Sequence, residues 1–98
     1  MPEGESASRS YENIWDALED DPAERQRMKV LSSLMAQLGS YITAQGWTQK
    51  QAAAHLGVSQ PRVSDLMRGK INLFSIDALI GMSGQAGIKL DIRFLPWG

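Results

Sequence analysis

The sequence predicts a mainly α-helical bundle of four to five helices that ends in one β-strand. Three observations lead to this fold class. Apolar residues recur at helical spacing along most of the chain, capping residues and glycines stand where helices would begin and end, and residues 88–95 alternate with the two-residue period of a strand. The length of 98 residues and the 43% apolar content suit one globular domain with a small core.

The residues needed for metal, thiol and nucleophilic chemistry are almost absent. There is no cysteine, and His55 is the only histidine. A catalytic nucleophile needs a neighbouring base and a group that orients it, and no glycine-rich phosphate loop follows a strand. We therefore expect no enzyme activity, no catalytic residue, no metal and no cofactor. No apolar stretch is long enough to span a membrane and the acidic N-terminus lacks a signal peptide, so we expect a cytoplasmic protein.

The net charge of −1 conceals a segregation along the chain. Residues 1–24 carry eight acids and one base, whereas residues 25–98 carry nine bases and three acids. Such asymmetry indicates a basic binding module with an acidic arm. An ordinary solvated surface is the alternative, and charge alone does not decide between the two.

The N-terminal half divides into a tail, a short amphipathic segment and a long helix. Residues 1–10 are small and polar, which predicts a disordered tail. Residues 11–24 form an acidic segment with one apolar helical face, and Pro22 marks a break or the start of the next helix. The long helix extends to Gln45 and is followed by Gly46, a suitable C-terminal cap. Its apolar positions are Met28, Leu31, Leu34, Met35, Leu38 and Ile42.

The stretch from residue 48 to residue 69 predicts two short helices joined by a tight turn. Thr48 and Gln51 have the spacing of a capping box, and Gly57 suits a left-handed turn after the first helix. Ser59 is an N-cap candidate for the second helix, and Ala53 gives the small contact residue that a steep crossing needs. This is a helix-turn-helix arrangement, for which an αα-hairpin that only packs is the alternative.

The C-terminal part predicts one more helix and then the strand. Ser75 caps a helix that turns Ile76, Leu79 and Ile80 inward, and two glycines, Gly81 and Gly84, weaken its second half. In the strand, one face carries Ile88, Leu90, Ile92 and Phe94. A lone strand leaves backbone groups unpaired, so we expect it to pair antiparallel with the same strand of a second copy.

The helix pair carries a family resemblance. The segments TQKQAA (48–53), LGVSQPRVS (56–64) and LMRGK (66–70) closely resemble the Xre/Cro family of helix-turn-helix DNA-binding proteins. The resemblance implies a lambda-repressor-like fold. The flanking segments NIWDAL (13–18) and LFSIDAL (73–79) are similar to those of short Xre proteins that act as HigA-type antitoxins. That likeness implies a dimeric repressor of its own operon, which also binds and neutralises a RelE-like ribonuclease toxin.

The second helix of such a pair enters the major groove with its N-terminal residues at the bases. A glutamine can bind adenine, an arginine guanine or phosphate, and a proline a thymine methyl. Asp65 either accepts a hydrogen bond from cytosine or pairs with Arg68 in solvent. The predicted base-reading residues are Gln60, Pro61, Arg62, Ser64 and Asp65. The predicted phosphate contacts are Gln49, to which the resemblance assigns this role, with Ser59, Arg68, Lys70 and Asn72.

The expected organisation is therefore a tail at 1–10, an acidic segment at 11–24, a DNA-binding domain at 25–87 and a dimerisation strand at 88–98. The expected partner is a palindromic DNA duplex bound by a homodimer. A regulator of phage or host genes without a toxin is the alternative. A pure protein-interaction module with a decayed DNA face is a third reading. It is disfavoured because donors are kept at positions 60, 62, 68 and 70.

Overall fold

The computed structural model describes residues 21–96. It has four α-helices and one short 3₁₀ turn in this range. They are α1 (Pro22–Gln45), α2 (Gln49–Leu56), α3 (Gln60–Met67), the 3₁₀ turn (Ile71–Leu73) and α4 (Ile76–Gln85). The chain divides after Val30 into two units, which are described separately. The predicted tail at 1–10 and the apolar face of residues 11–18 lie outside the described residues.

In the first unit, the described residues form the start of α1. The Asp21 carboxylate accepts hydrogen bonds from the amides of Ala23 and Glu24, at 3.1 and 3.3 Å, and so caps the helix. Pro22 therefore begins a helix, and the division predicted between residues 24 and 25 falls within its first turn. Glu24 also pairs with Arg27 one turn later. The hydrogen bonds from that guanidinium hold the pKa of Glu24 below its ordinary value.

In the second unit, all four helices contribute to one small core. Of the five apolar α1 positions predicted in this unit, four are buried as expected and Leu34 is half-buried. Because α2 and α3 are only two turns long, their apolar residues must share this core to be stable. The buried apolar residues are Leu31, Met35, Leu38, Ile42, Ala52, Ala53, Leu56, Val63, Leu66, Phe74, Leu79 and Met82.

The predicted caps are confirmed. The Thr48 side chain accepts from the amide of Gln51 at 3.1 Å, and the Gln51 side chain accepts from the amide of Thr48 at 2.9 Å. The hydroxyl of Ser59 accepts from the amide of Arg62 at 3.3 Å, and that of Ser75 from Ala78 at 3.0 Å. Each helix start is thus fixed by residues within three positions of it.

The predicted C-terminal strand is not seen in the described chain. Between residues 88 and 96 no strand ladder forms. The physical reason is the lack of a partner, since the rest of the described chain is helical and offers no strand edge. Ile88 and Leu90 line a cavity against α1 and α4, whereas Ile92 is 59% and Phe94 is 99% exposed. Only the first half of the predicted apolar face therefore covers the helices.

The inward face of α4 also differs from the expectation. Ile80 was predicted to face inward but is 44% exposed, while Met82 and Ser83 are buried instead. The inward face of α4 therefore continues from Leu79 by steps of three and four residues, which is the spacing of one helical stripe. The two glycines do not end α4, which continues to Gln85. Among residues 21–96, no helix is long and apolar enough to cross a membrane.

Candidate nucleic-acid interface

The turn between α2 and α3 depends on Gly57. This residue has φ 72° and ψ 32°, in the left-handed region that glycine adopts without a side-chain clash. The amides of Gly57 and Val58 both donate to the carbonyl of Ala53, at 2.9 and 3.1 Å. A Cβ on Gly57 would also lie 3.4 Å from Cγ of Gln85 on α4. The turn is therefore tightly closed and packed against the last helix.

The start of α2 presents donors to solvent. The capping box satisfies the amide of Gln51, but the first amides of a helix have no carbonyl one turn earlier to accept from them. The backbone amides of Gln49 and Lys50 are therefore available to an acceptor from another molecule. The side chains of both residues are exposed. A helix N-terminus of this kind favours an anion such as a DNA phosphate.

The first turn of α3 carries exposed polar groups, and the opposite face of this helix is buried in the core. Val63 and Leu66 are 0% and 2% exposed, which fixes which face of the helix is buried. Gln60 and Pro61 are exposed, and Ser64 is half-buried. This outward face carries most of the residues predicted to read bases.

Arg62 makes contacts that sequence reasoning missed. Its Nη1 donates to the carbonyl oxygen of Leu73 at 2.7 Å, and its Cζ lies 4.1 Å from the centre of the Phe74 ring. Phe74 is only 7% exposed, so the guanidinium is stacked on a core residue. The sequence has an arginine on α3 and a phenylalanine just before the next helix, but no local pattern indicates that the two side chains meet.

The residues after α3 form the far edge of the interface. Lys70 lies 3.6 Å from the carboxylate of Asp65, which is half-buried, whereas Arg68 and Asn72 are exposed. Between Gln49 and Asn72 the chain carries four bases and one acid. This local excess of positive charge suits a polyanionic partner, although the whole chain is slightly acidic.

An aromatic cluster lies alongside α2. The Trp47 ring stacks on His55 with centroids 3.9 Å apart and an angle of 9°, and Tyr41 meets Trp47 edge-on at 5.9 Å. Trp47 is therefore a packing residue that contacts both α1 and α2. Within the described part of the chain, no group of acids and histidines is arranged to hold a metal ion.

Two capped helices, a closed glycine turn and an outward polar first turn define a helix-turn-helix DNA-binding protein. Residues 17–94 match the model of the helix-turn-helix domain family, and the chain therefore belongs to this family. No curated protein sequence matches the chain.

Proposed function

We propose that this protein is a sequence-specific transcriptional regulator that reads DNA with α3. The observation that carries the proposal is the exposed first turn of α3, held in place by the Ser59 cap and by buried Val63. The side-chain amide of Gln60 is the strongest candidate base reader, because a glutamine side chain can make two hydrogen bonds to one adenine. Pro61 offers an apolar contact to a thymine methyl, and Ser64 lies one turn further along the same helix.

Phosphate contacts on both sides of α3 would fix its orientation. On one side is the N-terminus of α2 with Gln49, and the Ser59 hydroxyl can still donate while its oxygen caps α3. On the other side are three exposed donors, Arg68, Lys70 and Asn72. Phosphate contacts position a protein on the duplex, whereas base contacts give specificity.

We propose that the protein binds its operator as a homodimer. The segment after α4 exposes Ile92 and Phe94, and its backbone has no ladder of its own in the described chain. Pairing with the same segment of a second copy through Ile88, Leu90, Ile92 and Phe94 would satisfy both features. Two recognition helices would then suit half-sites about 34 Å apart on a palindrome.

The more specific role proposed is that of an autoregulatory antitoxin in the cytoplasm. Its support is the resemblance of the flanking segments to HigA-type antitoxins, together with eight acids within residues 1–24. Such an acidic arm complements a toxin whose cleft is cationic for RNA. A regulator of phage or host genes without a toxin partner is the alternative.

The DNA-binding proposal is tested by selecting duplexes from a random pool with the purified protein. We expect one palindromic motif to be enriched. Gln60→Ala should lose affinity for that motif by about tenfold, and its base preference should relax at one position in each half-site. Gln45→Ala, which changes an exposed glutamine at the end of α1, is the matched control and should bind as the wild type. A pool without an enriched motif contradicts the proposal.

The antitoxin role is tested through the neighbouring gene. A small basic open reading frame beside this gene, toxic when expressed alone and harmless when co-expressed, is the expected result. Removing residues 1–24 should abolish that protection if the acidic arm contacts the toxin. Protection that survives the deletion, with a lowered melting temperature, assigns these residues to folding instead. A gene with no toxic neighbour favours the alternative.

A further inference from the structure

The turn that follows α3 contacts that helix at both of its ends. At its start, the amide of Lys70 donates to the carbonyl of Asp65 at 3.1 Å, and the side chains of these two residues form an ion pair. At its end, Arg62 binds the carbonyl of Leu73 and stacks on Phe74. Lys70, which makes the first of these contacts, and Asn72, which lies between them, are both exposed.

The contacts of Arg62 hold its guanidinium against the turn that follows α3. The planar group uses one edge to donate to the Leu73 carbonyl and one face to stack on Phe74. Bidentate binding to guanine requires two donors at one edge. The Nε–Nη2 edge keeps two such donors, but the side chain that carries it is held by Leu73 and Phe74, whereas Gln60 is exposed.

We propose that Arg62 is a positioning residue that sets the spacing between the base-reading turn of α3 and the phosphate-binding turn after it. It belongs to the first turn of α3, with its amide capped by Ser59, and its side chain reaches eleven residues along the chain. Its own contribution to DNA binding is thus to hold Lys70 and Asn72 where the backbone of the duplex passes. This inference rests on the proposed DNA-binding function.

Substitution of Phe74 distinguishes a positioning role of Arg62 from a role in base reading. The Phe74 side chain is buried and cannot contact DNA, so it can affect DNA binding only through the residues that it holds. If Arg62 acts through Phe74, then Arg62→Lys and Phe74→Leu should weaken binding in the same way, and the double variant should be little worse than either. Arg62→Lys keeps the positive charge but not the flat guanidinium.

The experiment measures affinity for the selected operator, for its single-base variants and at several salt concentrations. For Arg62→Lys we expect an affinity loss of about tenfold on every duplex alike, unchanged base preference, and a salt dependence as shallow as that of Lys70→Ala. The double variant Arg62→Lys/Lys70→Ala should lose little more than either single change. Lys29→Arg on α1 is the control, because Lys29 is exposed, is not among the residues proposed to contact DNA, and keeps its charge in this substitution.

Hydrogen exchange in the free protein gives a second readout. Arg62→Lys should speed exchange at the amides of Leu73 and Phe74, while the amides of α2 stay protected. Relaxed preference at one base pair, or affinity and exchange equal to the wild type, overturns the positioning role alone. A wild-type protein that enriches no motif refutes the proposed DNA-binding function, and the positioning role with it.

Discussion

Asp65 and Lys70 pair across the end of α3, with Oδ1 of the carboxylate 3.6 Å from Nζ of the lysine. The expected partner of Asp65 in solvent was Arg68, one turn along the helix. Instead, the left-handed Gly69, with φ 72°, folds the chain back, so that the next residue reaches the carboxylate. The only acid between Gln49 and Asn72 in the sequence therefore pairs with Lys70, which is proposed to bind phosphate.

Replacing Asp65 by asparagine should strengthen DNA binding. The substitution removes a negative charge from the interface and frees Lys70, so affinity for all duplexes should rise by about two- to fivefold at low salt. Titration of an operator and of an unrelated duplex at two salt concentrations measures this effect. Asp77→Asn on α4 removes the same charge elsewhere and is the control. Weaker operator binding, with preference lost at one cytosine, would instead mean that Asp65 reads a base.

Gly57→Ala should destabilise the fold. An alanine at φ 72° is strained, and its Cβ would lie 3.4 Å from the Gln85 side chain. We expect a loss of about 1–2 kcal/mol in the free energy of unfolding, seen as a lower urea midpoint with an unchanged slope. An unchanged midpoint would show that the turn can adopt another conformation.

Gly81→Ala, in contrast, should stabilise the fold. Gly81 is exposed within α4, has no positive φ, and a Cβ there would meet nothing within 4 Å. Alanine loses less conformational freedom in a helix than glycine, so the variant should gain about 0.5–1 kcal/mol in stability. The same urea titration measures it. Together, the two substitutions compare the same added methyl group at a strained, packed position and at an unstrained, open one.

The features that sequence predicted correctly are those set by near neighbours. Thr48, Ser59 and Ser75 cap helices through amides three residues later, so a short window contains both partners. Gly57 is similar, because its left-handed turn is a property of the residue itself. The buried face of α1 followed from spacing alone, since helical period and core contact coincide there.

The features that sequence missed depend on distant residues. Arg62 is predicted to read a base from its place on the recognition helix, and its contacts with Leu73 and Phe74 were not foreseen because these residues lie eleven and twelve positions further on. Ile80 continues an apolar run, yet the crossing of α4 over the core buries Met82 instead. The alternation of apolar and polar residues after Gly87 shows that the segment could form a strand. A strand also needs the edge of a second strand to pair its backbone groups.

The start of α1 should loosen at acid pH. The pKa of Glu24 lies below its ordinary value of 4.5, mainly because Arg27 donates hydrogen bonds to the carboxylate. A depressed pKa means that the ionised form stabilises the helix above pH 4.5, and that this contribution is lost as the pH falls through the lowered value. Amide protection in the first turns of α1, corrected for intrinsic exchange, should therefore decrease on acidification. Glu24→Gln should reduce protection at neutral pH and make it less dependent on pH.

The proposed dimer contact can be tested without disturbing the folded monomer. Phe94 is 99% exposed, so Phe94→Asp should leave helix content and the urea midpoint of dilute protein unchanged. If Phe94 lies between two copies, a charge there must be buried against apolar groups, which is costly. Sedimentation at micromolar concentration should then show a dimer for the wild type and a monomer for the variant. Lys89→Ala, an exposed change on the other face of the segment, should remain dimeric. Truncation after Gly87 should also give a monomer, and a folded truncated dimer would assign the contact to another surface.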